Sequence, residues 1–372
     1  MASRRRKTPP RRRRTAPGRV TIKALAEHVG LSPSTVSLVL NRSPVADSIP
    51  QETKDRVFVA ARELDYRPNH LARSLRSRRT FTIGIVLPEV SEGYAAGIVS
   101  GVEARLLQDG YFYLLAGHRR DEERLDECMG LLQDRSVDGL VLINTPISKP
   151  PRLPTVAVSG HTELAGVTNV IIDHDRAAIT ALAHLKELGH ERIAFFKGHR
   201  RTSDAAVRWA AIVRAARELG LEIRPELTLQ LSGDSAGAEF SPEEGYEEGH
   251  VFGRRLLDRG EKLTALFAFN DISAIGAMRA FLDADLSVPE DVSIIGFDDI
   301  ESAAYQNPSL TTVRQPLRQM GETAAEVLLA QLAGGAAPGT FVTIEPELVV
   351  RDSTGPAPEA WRRPRRRAAR AC

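Results

Sequence analysis

Residues 20–40 read VTIKALAEHVGLSPSTVSLVL. Thr21 supplies a side-chain oxygen that caps a helix running to Val29. Within that helix Ile22, Leu25, Ala26 and Val29 recur at i, i+3, i+4 and i+7, so one face is apolar. Gly30 tolerates the positive φ that lets the chain turn sharply. Ser32 then reads as an N-cap and Pro33 as the first helical residue, where a missing N–H costs nothing. The second helix is expected to reach about Leu40, with Val36, Val39 and Leu40 inward. Its outer face would carry Ser34, Thr35, Ser37 and Leu38, with Asn41 at its end. A third helix, about Gln51 to Leu64, would pack across both. Two short helices joined by a tight glycine turn form the unit whose second helix enters the major groove of DNA. A generic helical bundle has the same spacing, so spacing alone leaves both readings open.

The rest of the 372-residue chain narrows the choice. Hydrophobic residues make up 42% and charged residues 26%, enough to bury cores in two or three domains. No apolar run approaches the roughly 18 residues that cross a bilayer, so no membrane partner is expected. Cys128 and Cys372 are the only cysteines and make no disulfide framework, which points to a reducing, cytoplasmic setting. The net charge of +2 hides a segregation. Residues 1–19 hold nine bases and no acid, and residues 361–372 hold six arginines and no acid. Residues 20–79 hold ten bases against six acids, leaving residues 80–360 with 25 bases against 42 acids. An acidic body repels polyanions, so nucleic-acid contact falls to the first 80 residues and the tails. Residues 1–19 are expected to form a disordered basic arm and residues 355–372 a disordered basic tail.

From Phe81 onward, strand-like apolar runs alternate with helix-length amphipathic segments. They include FTIGIVLP, YFYLLAG, VDGLVLIN, TVAVSG, NVIID, RIAFFKG, LTLQL, TALFAFND and VSIIGFDD. Such runs imply parallel strands buried on both faces, and their number exceeds one typical sheet. The expected fold class is therefore multidomain: an all-α helix-turn-helix domain over residues 20–66, a connector over 67–79, and an α/β domain of two doubly wound lobes over 80–354.

The ordered string VTIKALAEHVGLSPSTVSLVLNRSP, then QETKDRVFVAARELDYRPNHLARSLRSRRTFTIGIVLP, resembles the lactose-repressor (LacI/GalR) family of transcription regulators. The likeness continues through VDGLVL, ELGHERIAF, FNDISAIGAMRA, VPEDVSIIGFDD, PSLTTVRQP and LVVRDST, from Val20 to Thr354. It implies a periplasmic-binding-protein-like effector domain, with lobe 1 at about 80–172 and 313–344 and lobe 2 at about 173–311 and 347–351. It also implies a homodimer, or a higher oligomer, on a palindromic double-stranded DNA operator.

The matched DNA-binding positions are Ser32, Pro33, Ser34, Thr35, Ser37, Leu38 and Asn41. Departures are visible among them. Ala24 stands where the family usually has an acid, and the loop NRSPVADSIPQETK is about three residues longer than usual. Leu38 stands where Arg or His is frequent, and a leucine touches only apolar base edges such as a thymine methyl. Ser32, Thr35, Ser37 and Asn41 fit phosphate positioning better than base reading. In the connector, Asn69 can cap a short helix carrying Ala72, Arg73 and Leu75. A solvated basic linker is the alternative, since so short a helix is unstable alone. The resemblance makes Leu75, beside Ala72, a wedge in the minor groove at the operator centre.

For the effector domain the resemblance implies a small molecule held between the lobes by Tyr94, Ser159, Arg208, Phe240, Asn270 and Asp298. Tyr94 lies in EVSEGYAAG, where the family commonly shows Asn-Pro-Phe-Phe. An arginine, a carboxylate, an amide and aromatic faces suit a sugar-like or nucleobase-like ligand. Taken singly, Arg208 also reads as a surface ion-pair partner, Asp298 as a turn residue and Phe240 as core. His174, where the family often has Asn, reads as a residue that tunes specificity or as a loop residue, the second being favoured. No nucleotide-binding, serine-hydrolase or metal-ligand motif is present, and His184 and His190 do not share a helical face as metal ligands would. The expected function is a ligand-responsive repressor without a cofactor and without enzymatic activity. A small-molecule binding protein with no regulatory DNA contact is the alternative.

Overall fold

The computed structural model describes residues 20–40, 44–66, 79–90, 93–200, 202–231, 242–335 and 340–359. The chain divides into two compact units, Met1–Thr80 and Phe81–Cys372. Asn41, Asn69, Ala72, Arg73, Leu75 and Phe240 lie outside the described residues, as do residues 1–19 and most of the connector.

The first unit contains helices α1 (Ile22–Val29), α2 (Pro33–Leu40) and α3 (Gln51–Glu63), with a 3₁₀ turn at Pro44–Ser48. Its local code is the expected one. The Ala24 amide donates to Thr21 Oγ1 at 3.2 Å. Gly30 takes φ +69°, and its N–H and that of Leu31 close onto the last turn of α1. The Thr35 amide donates to Ser32 Oγ at 3.1 Å, starting α2. The core joins Leu25, Ala26, Val29, Val36, Val39, Val57 and Ala60. Arg56 on α3 donates to the Val29 carbonyl at 2.8 Å, satisfying an acceptor at the end of α1.

The second unit holds two six-stranded sheets. The first has the order β11-β5-β4-β3-β1-β2, and every pairing in it is parallel. Its strands are β1 (Thr82–Leu87), β2 (Phe112–Gly117), β3 (Gly139–Ile143), β4 (Thr155–Val158), β5 (Val167–Ile172) and β11 (Phe341–Ile344). The second sheet has the order β12-β10-β9-β8-β6-β7. Its strands are β6 (Ile193–Lys197), β7 (Thr228–Gln230), β8 (Ala265–Phe267), β9 (Ser293–Asp298), β10 (Thr311–Arg314) and β12 (Glu347–Val349). Here β12 runs antiparallel to β10, the one departure from the parallel expectation.

Helices α4 (Tyr94–Gln108) and α5 (Glu122–Asp134) cross over in the first lobe, and α6 (His174–Glu187) and α7 (Ala205–Leu219) follow in the second. Next come α8 (Pro242–Asp258), α9 (Asp271–Leu282), the short α10 (Glu301–Ala304) and α11 (Leu317–Leu332). The all-apolar strands explain the layering: β1, β3, β4 and β9 are buried almost throughout, so each sheet needs helices on both faces.

The chain crosses between lobes after β5, after β10 and after β11. The structure moves one boundary. Thr311–Arg314 pairs with β9, so the return to the first lobe begins past Arg314 and not at 313. It also corrects the C-terminal boundary. Residues 355–359, expected to belong to a disordered tail, include a fully buried Ala357, whose amide donates to the Leu188 carbonyl at 2.8 Å. His184 and His190, set aside as metal ligands, hold this segment. His184 Nε2 lies 3.0 Å from Thr354 Oγ1, and His190 Nε2 lies 3.0 Å from the Gly355 carbonyl. No described helix is long and apolar enough to cross a membrane.

Candidate functional site

On the first unit, Ser32, Pro33 and Ser34 are exposed at the N-terminal end of α2, with Thr35 and Leu38 half-buried on the same side. Ser32 is engaged twice, capping α2 and sharing a 2.8 Å hydrogen bond with Thr35 Oγ1. Ser37 corrects the sequence reading. It is only 7% exposed, because α1 and α3 flank α2 and bury a wider arc than Val36 and Val39 alone would predict. Its hydroxyl therefore leaves the set presented outward. What remains is an uncharged surface of hydroxyls and one leucine on a helix that begins freely at its N-terminus, the end that meets base edges in this motif.

The second site is the crevice between the lobes, beyond the carboxyl ends of the strands, where doubly wound sheets bind ligands. Arg208 is at its centre and is only 4% exposed, so the surface ion-pair reading falls. One turn earlier on the chain, Asp204 forms a buried ion pair with it. Arg208 Nη1 donates to the Phe269 carbonyl at 2.7 Å. Its guanidinium carbon lies 4.4 Å from the centroid of the Phe269 ring and 3.9 Å from that of Phe297. These faces are therefore covered by the cation itself. Burial opposes ionisation of Asp204, but Arg208, with His174 and His161, holds its carboxyl below the usual range. Asp204 Oδ1 and Arg208 Nε have no hydrogen-bond partner among the described residues.

Asp298 ends β9 at φ 112° and is buried. Burial pushes its pKa up to about 7, against the opposing pull of Arg208 and of a 2.6 Å hydrogen bond from Gln315 Nε2. Tyr94 OH and Ser159 Oγ are 2.5 Å apart, and burial followed by the charge of Asp204 raises the phenol's pKa. Ser159 itself sits at φ 57°, just past β4. Asn270 lines the cavity and caps α9, accepting from the Ser273 amide at 2.9 Å. Tyr94, Arg208, Asn270 and Asp298 thus border one cavity, with Ser159 behind Tyr94.

Sequence reasoning missed several neighbours. His174 is no loop residue: it opens α6, is buried, and places Nε2 3.2 Å from His161 Nε2. Burial lowers its pKa to about 3 and keeps it neutral. Asn144 and Ser203 fasten the lobes together. The Ser203 amide donates to Asn144 Oδ1 at 3.0 Å and its hydroxyl to the Ser159 carbonyl at 2.5 Å. Gly93, at φ +82°, has Ile300 of the other lobe so near that a Cβ would come within 2.3 Å of it. The signal available in sequence was position: Asn144 and His161 lie one to three residues beyond apolar strand runs.

The cavity left between these side chains is about 90 Å³. Ligand pockets commonly span several hundred Å³, so the cleft is narrow in this structure. The charges are paired: Arg208 with Asp204, Arg120 with Glu89 at 3.3 Å, and His199 with Glu248 at 3.3 Å. Both arginines that border the cavity among the described residues thus have a carboxylate beside them. Among the described residues no cluster of three or more His, Cys, Asp or Glu is placed to hold a metal ion.

Both units have counterparts among known proteins. Residues 21–69 match the model of bacterial regulatory proteins of the lacI family, and residues 182–354 match that of the periplasmic binding protein-like domain. The HTH-type transcriptional repressor PurR of Haemophilus influenzae (strain PittEE) is 33% identical over 345 residues, covering 90% of this chain and 98% of the relative. The lac repressor dimer bound to operator and the anti-inducer ONPF superposes with a TM-score of 0.76 at 26% identity, covering 91% of this chain and all of that one. A complex of the transcriptional regulator CelR with cellobiose gives 0.63 at 29% identity, covering 90% of this chain and all of that one. CcpA of Lactococcus lactis gives 0.64 at 27% identity, covering 73% and 98%. A helix-turn-helix unit followed by a two-lobed binding domain, with these relatives along nearly its whole length, places the chain in the lacI family of bacterial regulators, as a ligand-responsive DNA-binding transcriptional repressor and not an enzyme.

Proposed function

We propose that the protein binds a twofold-symmetric operator as a homodimer, with α2 in the major groove, and that an uncharged, hydroxyl- or amide-rich small molecule closes the interlobe cleft to change that affinity. The observation that carries the ligand class is the buried Asp204–Arg208 pair. Arg208 is already neutralised, so a phosphorylated or carboxylated ligand finds no spare cation among the described residues that line the cavity and would meet Asp204 instead. A neutral sugar or nucleobase can satisfy Asp204 Oδ1 and Arg208 Nε with its own donors and acceptors. The CelR complex contains cellobiose, a neutral sugar, which supports the same class.

The dimer is supported by the free edge of the first sheet. Strand β2 is the last in the sheet order among the described residues, with Phe112 61% exposed and Leu114, Leu115 and neighbouring Leu107 also exposed. An apolar edge of this kind needs a cover. A second copy of the chain supplies it, as the dimeric lac repressor suggests. The connector over 67–79 is assigned the coupling role, Leu75 wedging the minor groove; Leu75→Ala would lower operator affinity and DNA bending. The test is thermal-shift screening of the full chain against neutral sugars, nucleobases and their phosphorylated counterparts. Each hit is then added to a fluorescence-anisotropy titration on DNA selected from a random library. Stabilisation by neutral compounds with a shifted DNA affinity is expected. Stabilisation by the phosphorylated compounds alone would overturn the ligand class.

A further inference from the structure

We propose that the 3₁₀ turn Pro44–Ser48 adds a base contact beyond those of α2, with Val45 covering the C5 methyl of a thymine in the major groove. This rests on the assignment of α2 to that groove. The turn follows the recognition helix directly and packs on it. It is held in one shape from both sides. Ala46 is buried, the Ile49 amide donates to the Ala46 carbonyl at 3.0 Å, and Ser48 Oγ donates to the Val45 carbonyl at 3.0 Å. Ile49 in turn packs against the core of the unit. Against that anchoring Val45 is 66% exposed, the most open large apolar side chain described in this unit.

Helices α1 and α3 carry charges of both signs, Lys23, Lys54, Arg56 and Arg62 beside Glu27, Glu52, Asp55 and Glu63. The outer side of α2 offers only Ser34, Thr35 and Leu38. In a 3₁₀ turn residues three apart lie one above the other, so Val45 and Ser48 share a side. That side adds a small apolar group and a hydroxyl to those of α2, with the exposed Asp47 on the adjoining side. A valine reads no hydrogen-bonding edge. The apolar feature of the major groove is the thymine methyl, and covering it removes both groups from water.

The experiment uses the full chain and a random DNA library. The wild-type protein and Val45→Ala are each taken through selection. The preferred site is then resynthesised with deoxyuracil replacing single thymines, which removes only the methyl. One thymine per half-site should lose about fourfold in affinity on replacement for the wild type, the worth of one buried methyl. The Val45→Ala protein should show no loss at that position and should keep its other preferences and its affinity for random DNA. Val45 is open to solvent, so the variant's melting temperature should match the wild type. A site in which no thymine-to-deoxyuracil change distinguishes the two proteins overturns the contact, as does a uniform weakening on all sequences. A wild type that selects no sequence removes the placement of α2 in the groove as well.

Discussion

The Asp298 carboxyl has a free-energy consequence that denaturation can read. Its pKa is raised from 3.8 to about 7 by burial. The native state therefore holds the proton more tightly than the unfolded chain. The stability this gives is fully present below the unfolded value near 4 and is lost as pH rises through 7. At 1.36 kcal/mol per unit, linkage between these two values removes about 2.5 kcal/mol between pH 5 and pH 8. Asp298→Asn keeps the shape, can still accept from Gln315 and has nothing to ionise. Whatever constant cost the amide brings, its melting temperature relative to wild type should rise from pH 5 to pH 8. At roughly 2–4 °C per kcal/mol for a domain of this size, the relative gain is roughly 5–10 °C. The neutral His174, whose pKa is lowered to about 3, acts oppositely in both proteins: its stability is present above 6.5 and is lost as pH falls toward 3. That contribution cancels in the comparison. Differential scanning calorimetry of the full chain and the variant at the two pH values is the assay. An unchanged difference between them would refute the placement of a protonated carboxyl in the cleft.

Removing Asp204 leaves Arg208 buried without its partner; Asp204→Ala should cost about 3–5 kcal/mol by urea denaturation, and adding Arg208→Met should recover most of it. Gly93→Ala places a methyl against Ile300 and should hold the lobes apart, so hydrogen exchange at the Ser203 amide, now bonded to Asn144, should quicken. Phe112→Asp on the open edge of β2 should shift sedimentation from dimer to monomer without lowering the melting temperature of the lobes. Ser32→Ala deletes the cap of α2 and should weaken the first unit by about 1 kcal/mol, seen as an earlier low-temperature transition.

Much of the architecture was legible because it is encoded locally. Thr21, Gly30, Ser32 and Pro33 mark helix ends by their own hydrogen-bonding and φ preferences, and the structure uses each as read. The apolar runs reported strands buried on both faces, since only a sheet between two helix layers tolerates them. Ser37 was misplaced because helical periodicity describes one helix, whereas its burial depends on two others packed beside it. The short strands β11 and β12, with three or four residues each, are not separable by pattern. The placement of β10 beside β9 was missed by two residues for the same reason.

The cleft divides along the same line. Arg208, Asp298, Asn270, Tyr94 and Ser159 were reachable because the family resemblance matches them position by position. Their chemistry was not. Whether Arg208 is a free cation or a neutralised one depends on Asp204 lying against it and on two phenylalanine faces brought from separate strand ends. His174 became a buried neutral group only because His161 and Phe297 arrive from other segments. By itself the order of residues determined helix caps, strand runs, the charge segregation and the membership of the chain in its family, all properties of neighbours along the backbone. The tertiary structure alone decided which charges meet, which carboxyl keeps its proton and how closely the lobes shut, because solvation and Coulomb energy depend on distances that no spacing along the chain contains.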